Sequence, residues 1–163
     1  MAQKDFMGTR RIGAEDIVFD SKELFKDMFS WLNEHGYDYE EVDHEEAMLD
    51  EGVKRISMEF GAVKKANEYV KQHIDISVSM KIKDVEVKDK KKQKGSIKLE
   101  FEAYLKKDYA GEWDAPFARF VREVYDKFVY RGKLAELGSD LTGDLDKLII
   151  ELKAFLKLTK RVM

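Results

Sequence analysis

The sequence predicts an α+β fold with an N-terminal helix, an antiparallel meander of three to four strands, and two C-terminal helices packed on one sheet face. Three observations carry that prediction. Apolar residues recur at helical spacing near the start of the chain and again after residue 116. Between those stretches they alternate with polar residues, as half-buried strands require. The two periods are also segregated along the chain, whereas a parallel sheet would interleave them.

Residues 1–13 carry Gly8, Gly13 and two arginines with no sustained period, and read as a loose N-terminal arm; residues 14–163 then form a single α+β domain. The first helix opens with a capping box, in which Asp20 accepts from free amides and Glu23 reaches back, while Phe19 staples onto Leu24. Leu24, Phe25, Met28, Phe29 and Leu32 mark its apolar face, and Gly36 ends it. Residues 37–51 read as a short edge strand near Tyr37–Val42 and a helical turn near Glu45–Leu49.

After Gly52 the period becomes two. Ile56, Met58 and Phe60 oppose Arg55, Ser57 and Glu59; then Val70, Ile74, Ile76, Val78, Met80 and Ile82 alternate with Lys71, His73, Asp75, Ser77, Ser79 and Lys81. The alternation slips at Lys83-Asp84, which predicts a bulge or break. It resumes in Ile97, Leu99, Phe101, Ala103 and Leu105. Asp114 and Pro116 open a second helix along Phe117, Phe120, Val121, Val124, Phe128 and Val129. A Gly138–Gly143 connector precedes a third, along Leu145, Leu148, Ile149, Leu152, Phe155 and Leu156.

Composition bounds the function. The 163 residues hold 30 basic and 33 acidic side chains, a net charge of −3, so no whole-molecule field selects a charged partner and any such partner must meet a local patch. Cysteine is absent, which removes disulfides, thiolate metal sites and cysteine nucleophiles. No apolar run is long enough to span a bilayer and no signal peptide is legible, so the expected location is cytoplasmic. Neither GxGxxG nor GxxxxGK[ST] occurs, which argues against dinucleotide and P-loop enzymes. No catalytic residue is nominated, and no cofactor is expected.

Lys83-Asp-Val-Glu-Val, the run Lys94 to Tyr109, Trp113 and Phe117–Arg131 together resemble a group of small uncharacterised archaeal proteins. The resemblance implies a cytoplasmic single-domain protein and carries no site.

Three surface candidates remain. Asp43, His44 and Glu46, in an acidic stretch free of Lys and Arg, are candidate metal ligands, set against a solvated acidic surface; the spacing is neither EF-hand nor HExxH. Lys90, Lys91, Lys92 and Lys94 are candidate phosphate or nucleic-acid contacts, set against lysine protection of a strand edge; no aromatic interleaves them, so nucleic acid is disfavoured. Tyr109, Trp113 and Phe117 are candidate partner or ligand contacts, set against core packing. His73 falls on the polar face of the long strand and reads as structural.

The leading expectation is a non-catalytic interaction protein with a protein partner or in self-association. The alternatives are a carrier holding a small apolar molecule or lipid between sheet and helices, and a metal-dependent enzyme using residues 34–51.

Overall fold

The computed structural model describes residues 3–67, 69–107 and 131–161. Strand β1 (Gln3–Phe19) leads into helix α1 (Ser21–Glu34), and strands β2 (Asp38–Met48), β3 (Val53–Lys65), β4 (Val70–Val87) and β5 (Lys90–Lys107) follow; helix α2 (Arg131–Arg161) is the last described element. The five strands form one antiparallel sheet in the order β1-β5-β4-β3-β2. The first strand therefore lies at one edge beside the last, and α1 carries the chain to the other edge, from which β2 to β5 return as a meander.

Several expectations are corrected. The helix-first order fails because residues 3–19, expected to begin as a loose arm, are strand β1, paired with β5 from Gln3↔Lys107 to Phe19↔Gln93. Register shifts at Phe6/Gly8 and Ala14/Ile17 move its side chains from one face to the other, which hides the period of two. The sheet has five strands: β1 is the added one, and residues 38–48 are one continuous strand that takes in Glu45–Met48, where a helical turn is expected. The slip at Lys83-Asp84 is no bulge: β4 and β5 stay in register from Val70↔Lys107 to Val87↔Lys90.

The two expected C-terminal helices also give way. The helix expected over Phe117–Val129 lies outside the described residues, and the Gly138–Gly143 connector is the interior of α2, a single helix of 31 residues. Among the described residues there are two α-helices, α1 and α2, besides a single 3-10 turn at Asp50–Gly52. Gly138 marks a close approach: a Cβ there would meet the Met7 Sδ of β1.

Both helices pack on the sheet face formed by Ile74, Ile76, Val78, Met80, Ile97, Leu99, Phe101 and Leu105, all buried. Helix α1 buries Leu24, Met28, Trp31 and Leu32, with Phe29 packed edge-on to Phe60 and stacked on Tyr39. Helix α2 contributes the fully buried stripe Leu141, Leu145, Leu148 and Leu152. Polar anchors fix both helices to the sheet. Gln93 accepts from the Ser21 amide at 2.8 Å and donates to Asp84 at 3.3 Å, so the apparent break in alternation is a polar clasp on the start of α1. That hydrogen bond, and then Lys91 and Lys54, hold the Asp84 carboxyl below its usual range. Gln72 donates to the Leu137 carbonyl of α2 at 3.0 Å, Tyr37 to Asp144 at 3.2 Å, and Arg10 to Asp146 at 2.7 Å. Met28, Met58 and Met80 are core residues of this face. No described helix is long and apolar enough to cross a membrane.

Candidate functional site

Side chains of alternate residues form the second, charged face of the sheet, and cross-strand register decides which of them meet. Its charges are segregated along the strands. Asp75, Glu102, Glu100 and Glu59 occupy two neighbouring rows at the middle. Toward the β4–β5 turn the same face carries Arg55, Lys81, Lys83, Lys90, Lys92, Lys94 and Lys98. Arg55 lies directly opposite Lys81, and Lys83 opposite Lys94. Like charges so placed repel. Among the described residues none of these seven cations has an ion-pair partner.

Between the long cationic side chains the floor is small. Gly13, Ser57, Ser77, Ser79 and Ser96 line adjoining depressions of about 320 and 490 Å³, which share Gly13, Ser79 and Lys98. A third, of about 540 Å³, adjoins them at Lys81 and Ser96 and extends to Lys83 and Lys94. Together they form one trough along the strands, with serine hydroxyls below and cations at the sides of its basic half; Glu59 and Glu100 line its other end, and Glu15 and Asp16 its β1 side. Gly13 keeps it open, having nothing within 4 Å of a built Cβ. Arg11, on the far side, is paired with Glu100 at 3.4 Å. Unneutralised cations beside hydroxyl groups suit an anionic group.

At the other end of this face, His73 stacks on Tyr104 with ring centroids 4.8 Å apart, and Phe6 and Lys4 lie against the same tyrosine. Burial, followed by Lys106, Lys71 and Lys4, pushes His73 down to about 4, so the ring is neutral at neutral pH. Its Nε2 is buried and has no hydrogen-bond partner among the described residues. The Tyr104 hydroxyl donates to Asp75; burial and that carboxylate push the phenol up to about 12, and burial raises Asp75. With its nitrogen sealed from solvent, the imidazole acts as packing.

The structure separates the four candidate lysines. Lys90, Lys92 and Lys94 fall on the charged face and extend the trough, whereas Lys91 points to the opposite side and pairs with Asp84 at 3.3 Å. The turn itself is only Lys88-Asp89, both at positive φ, a two-residue hairpin loop. Of the candidate metal ligands, His44 Nδ1 lies 2.9 Å from Glu41 and Nε2 3.6 Å from Glu46, while the neighbouring Asp43 accepts from the His44 amide at 2.9 Å. Among the described residues no group of three or more His, Asp or Glu side chains is placed to hold a metal ion. All of β2 is exposed, and its acids charge the edge strand of the described sheet. Tyr109, Trp113 and Phe117 lie outside the described residues.

Reading the sequence by charge runs misses Arg55, Ser57, Ser79 and Gly13. The alternation of β3 and β4 already assigns the first three to the polar side; their grouping needs the register. No protein-family model matches this chain, and neither a curated protein nor a solved structure does.

Proposed function

We propose that this is a non-catalytic, cytoplasmic interaction protein whose trough receives an anionic segment of a partner. The supporting observation is the pair of unneutralised like-charge neighbours, Arg55–Lys81 and Lys83–Lys94, held side by side above a serine floor. Each such pair works against the fold, and a bound anion removes the repulsion. Lysine protection of an edge does not account for them, because Lys81 and Lys83 lie on β4, an inner strand.

The test uses Lys81→Glu combined with Lys83→Glu. Each change places a carboxylate opposite a cation, Arg55 or Lys94, so the variant is expected to fold and to gain about 0.2–1 kcal/mol per pair. A fluorescein-labelled hexaglutamate peptide is titrated against both proteins at low salt. The reading expects binding by the wild type that weakens with ionic strength, and at least a tenfold loss in the variant. Equal affinity for the two proteins would remove the trough from consideration.

A further inference from the structure

The molecule carries an anionic segment that matches its own trough. Strand β2 is exposed along all 11 residues and holds Asp38, Glu40, Glu41, Asp43, Glu45 and Glu46. Among the described residues it is the last strand of the sheet, and the backbone groups on its outer side pair with no other described strand. We infer that the trough docks the β2 edge of a second copy of this chain, an inference that rests on the anionic-partner reading above.

Charge, dimensions and symmetry support one another. Two β2 edges cannot readily zip together, because six acids would face six acids. The complementary surface on the same molecule is the basic half of the trough, where Arg55, Lys81, Lys83, Lys94 and Lys98 stand without ion-pair partners among the described residues and outnumber the Glu15 and Asp16 carboxylates on its β1 side. Its floor crosses from β1 to β3, three interstrand steps or about 14 Å, which admits one strand with its side chains. The basic stretch from Lys90 to Lys98 is about 27 Å long, and β2 about 34 Å, so one edge spans the basic stretch. Serine hydroxyls on that floor offer partners to the strand's free amides and carbonyls. The net charge of −3 adds little repulsion between copies.

Edge and trough are different surfaces, so the contact is head-to-tail. Each added copy presents a fresh β2 at one end and an empty trough at the other, and the assembly is open-ended unless its rotation closes a ring.

Sedimentation at several concentrations and two salt levels tests this. At low salt the wild type is expected to grow well beyond its 19.1 kDa monomer mass with concentration, and at high salt to return to it. The trough variant, Lys81→Glu with Lys83→Glu, and an edge variant, Glu40→Lys with Asp43→Lys, are each expected to stay monomeric. Asp43→Lys lies opposite Glu59, which favours a folded edge variant. Mixed together, the two variants keep one intact trough and one intact edge, and are expected to form a pair and nothing larger. A wild type that stays monomeric throughout, or an edge variant that assembles like the wild type, overturns the self-docking. The edge variant is also titrated with labelled hexaglutamate. Retained peptide binding without self-assembly leaves the anionic-partner reading standing, while loss of peptide binding by the wild type as well sinks both.

Discussion

The two faces of the sheet are built from the same strands, one residue out of phase, and they obey different rules. On the apolar face each row continues across neighbouring strands and closes under α1 or α2: Phe101 beside Ile76, Leu99 beside Val78, Ile97 beside Met80. On the charged face a block of acidic rows gives way to a block of basic ones, and in the basic half neighbours within a row repel. The first face holds the molecule together. The second holds unsatisfied charge in place, and it can do so only because the first is stable enough to tolerate repulsion worth some tenths of a kcal/mol per pair.

The sharpest test of that division is a matched truncation. Phe101→Ala empties a fully buried site and is expected to cost about 3–5 kcal/mol, whereas Ser79→Ala on the opposite side of the neighbouring strand is expected to stay within about 0.5 kcal/mol. Urea denaturation of the two variants reads the difference directly, and comparable losses would break the comparison. Gly95→Ala should strike both faces together. Gly95 has a φ of 154°, and a Cβ there would run into the Lys81 carbonyl oxygen of the neighbouring strand. The expected loss is about 3 kcal/mol, with the trough cations displaced as well; unchanged stability and unchanged peptide binding would contradict this account of Gly95.

His73 is the point where the charged face behaves like a core. Its folded pKa, about 4, lies below the ordinary value near 6.5. Burial of the neutral ring therefore contributes stability that is present above pH 6.5 and lost as pH falls toward 4. His73→Phe keeps a ring against Tyr104 and removes that titration, so its stability relative to wild type is expected to rise between pH 7 and pH 5. Urea midpoints for both proteins at the two pH values provide the check; a constant difference would show that the ring is already accessible to protons. The smallest effect belongs to α2. Gly143→Ala, exposed in mid-helix with open space around it, is expected to add about 0.5–1 kcal/mol, seen as a small rise in Tm.

What could be read without coordinates follows the same division. Strands β3, β4 and β5 announce themselves because only one of their faces is buried, and α1 because Asp20 caps it through the Lys22 and Glu23 amides. Strand β2 is illegible since both sides of it are exposed, and β1 since two register shifts and Arg10 at an inward position scramble its period. Gly138 and Gly143 of α2 look like a connector until Met7 is found beneath Gly138, where packing overrides helix propensity. The trough was half visible: alternation assigns Ser57, Ser79 and Lys81 to the polar side. Their adjacency to Gly13 and Lys98 is a property of long-range pairing that no local pattern contains.

The pairing of the first strand with the last imposes an order on folding. Strands β2 to β5 can zip successively through short turns, but Phe19 must wait for Gln93 and Gln3 for Lys107 before β1 has a neighbour. During synthesis β1 has no strand to join until the hairpin of β4 and β5 has left the ribosome, and α1 cannot be clasped by Gln93 before then. Closure of that edge is the costly long-range step in loop entropy, so it should come late and set the overall folding rate.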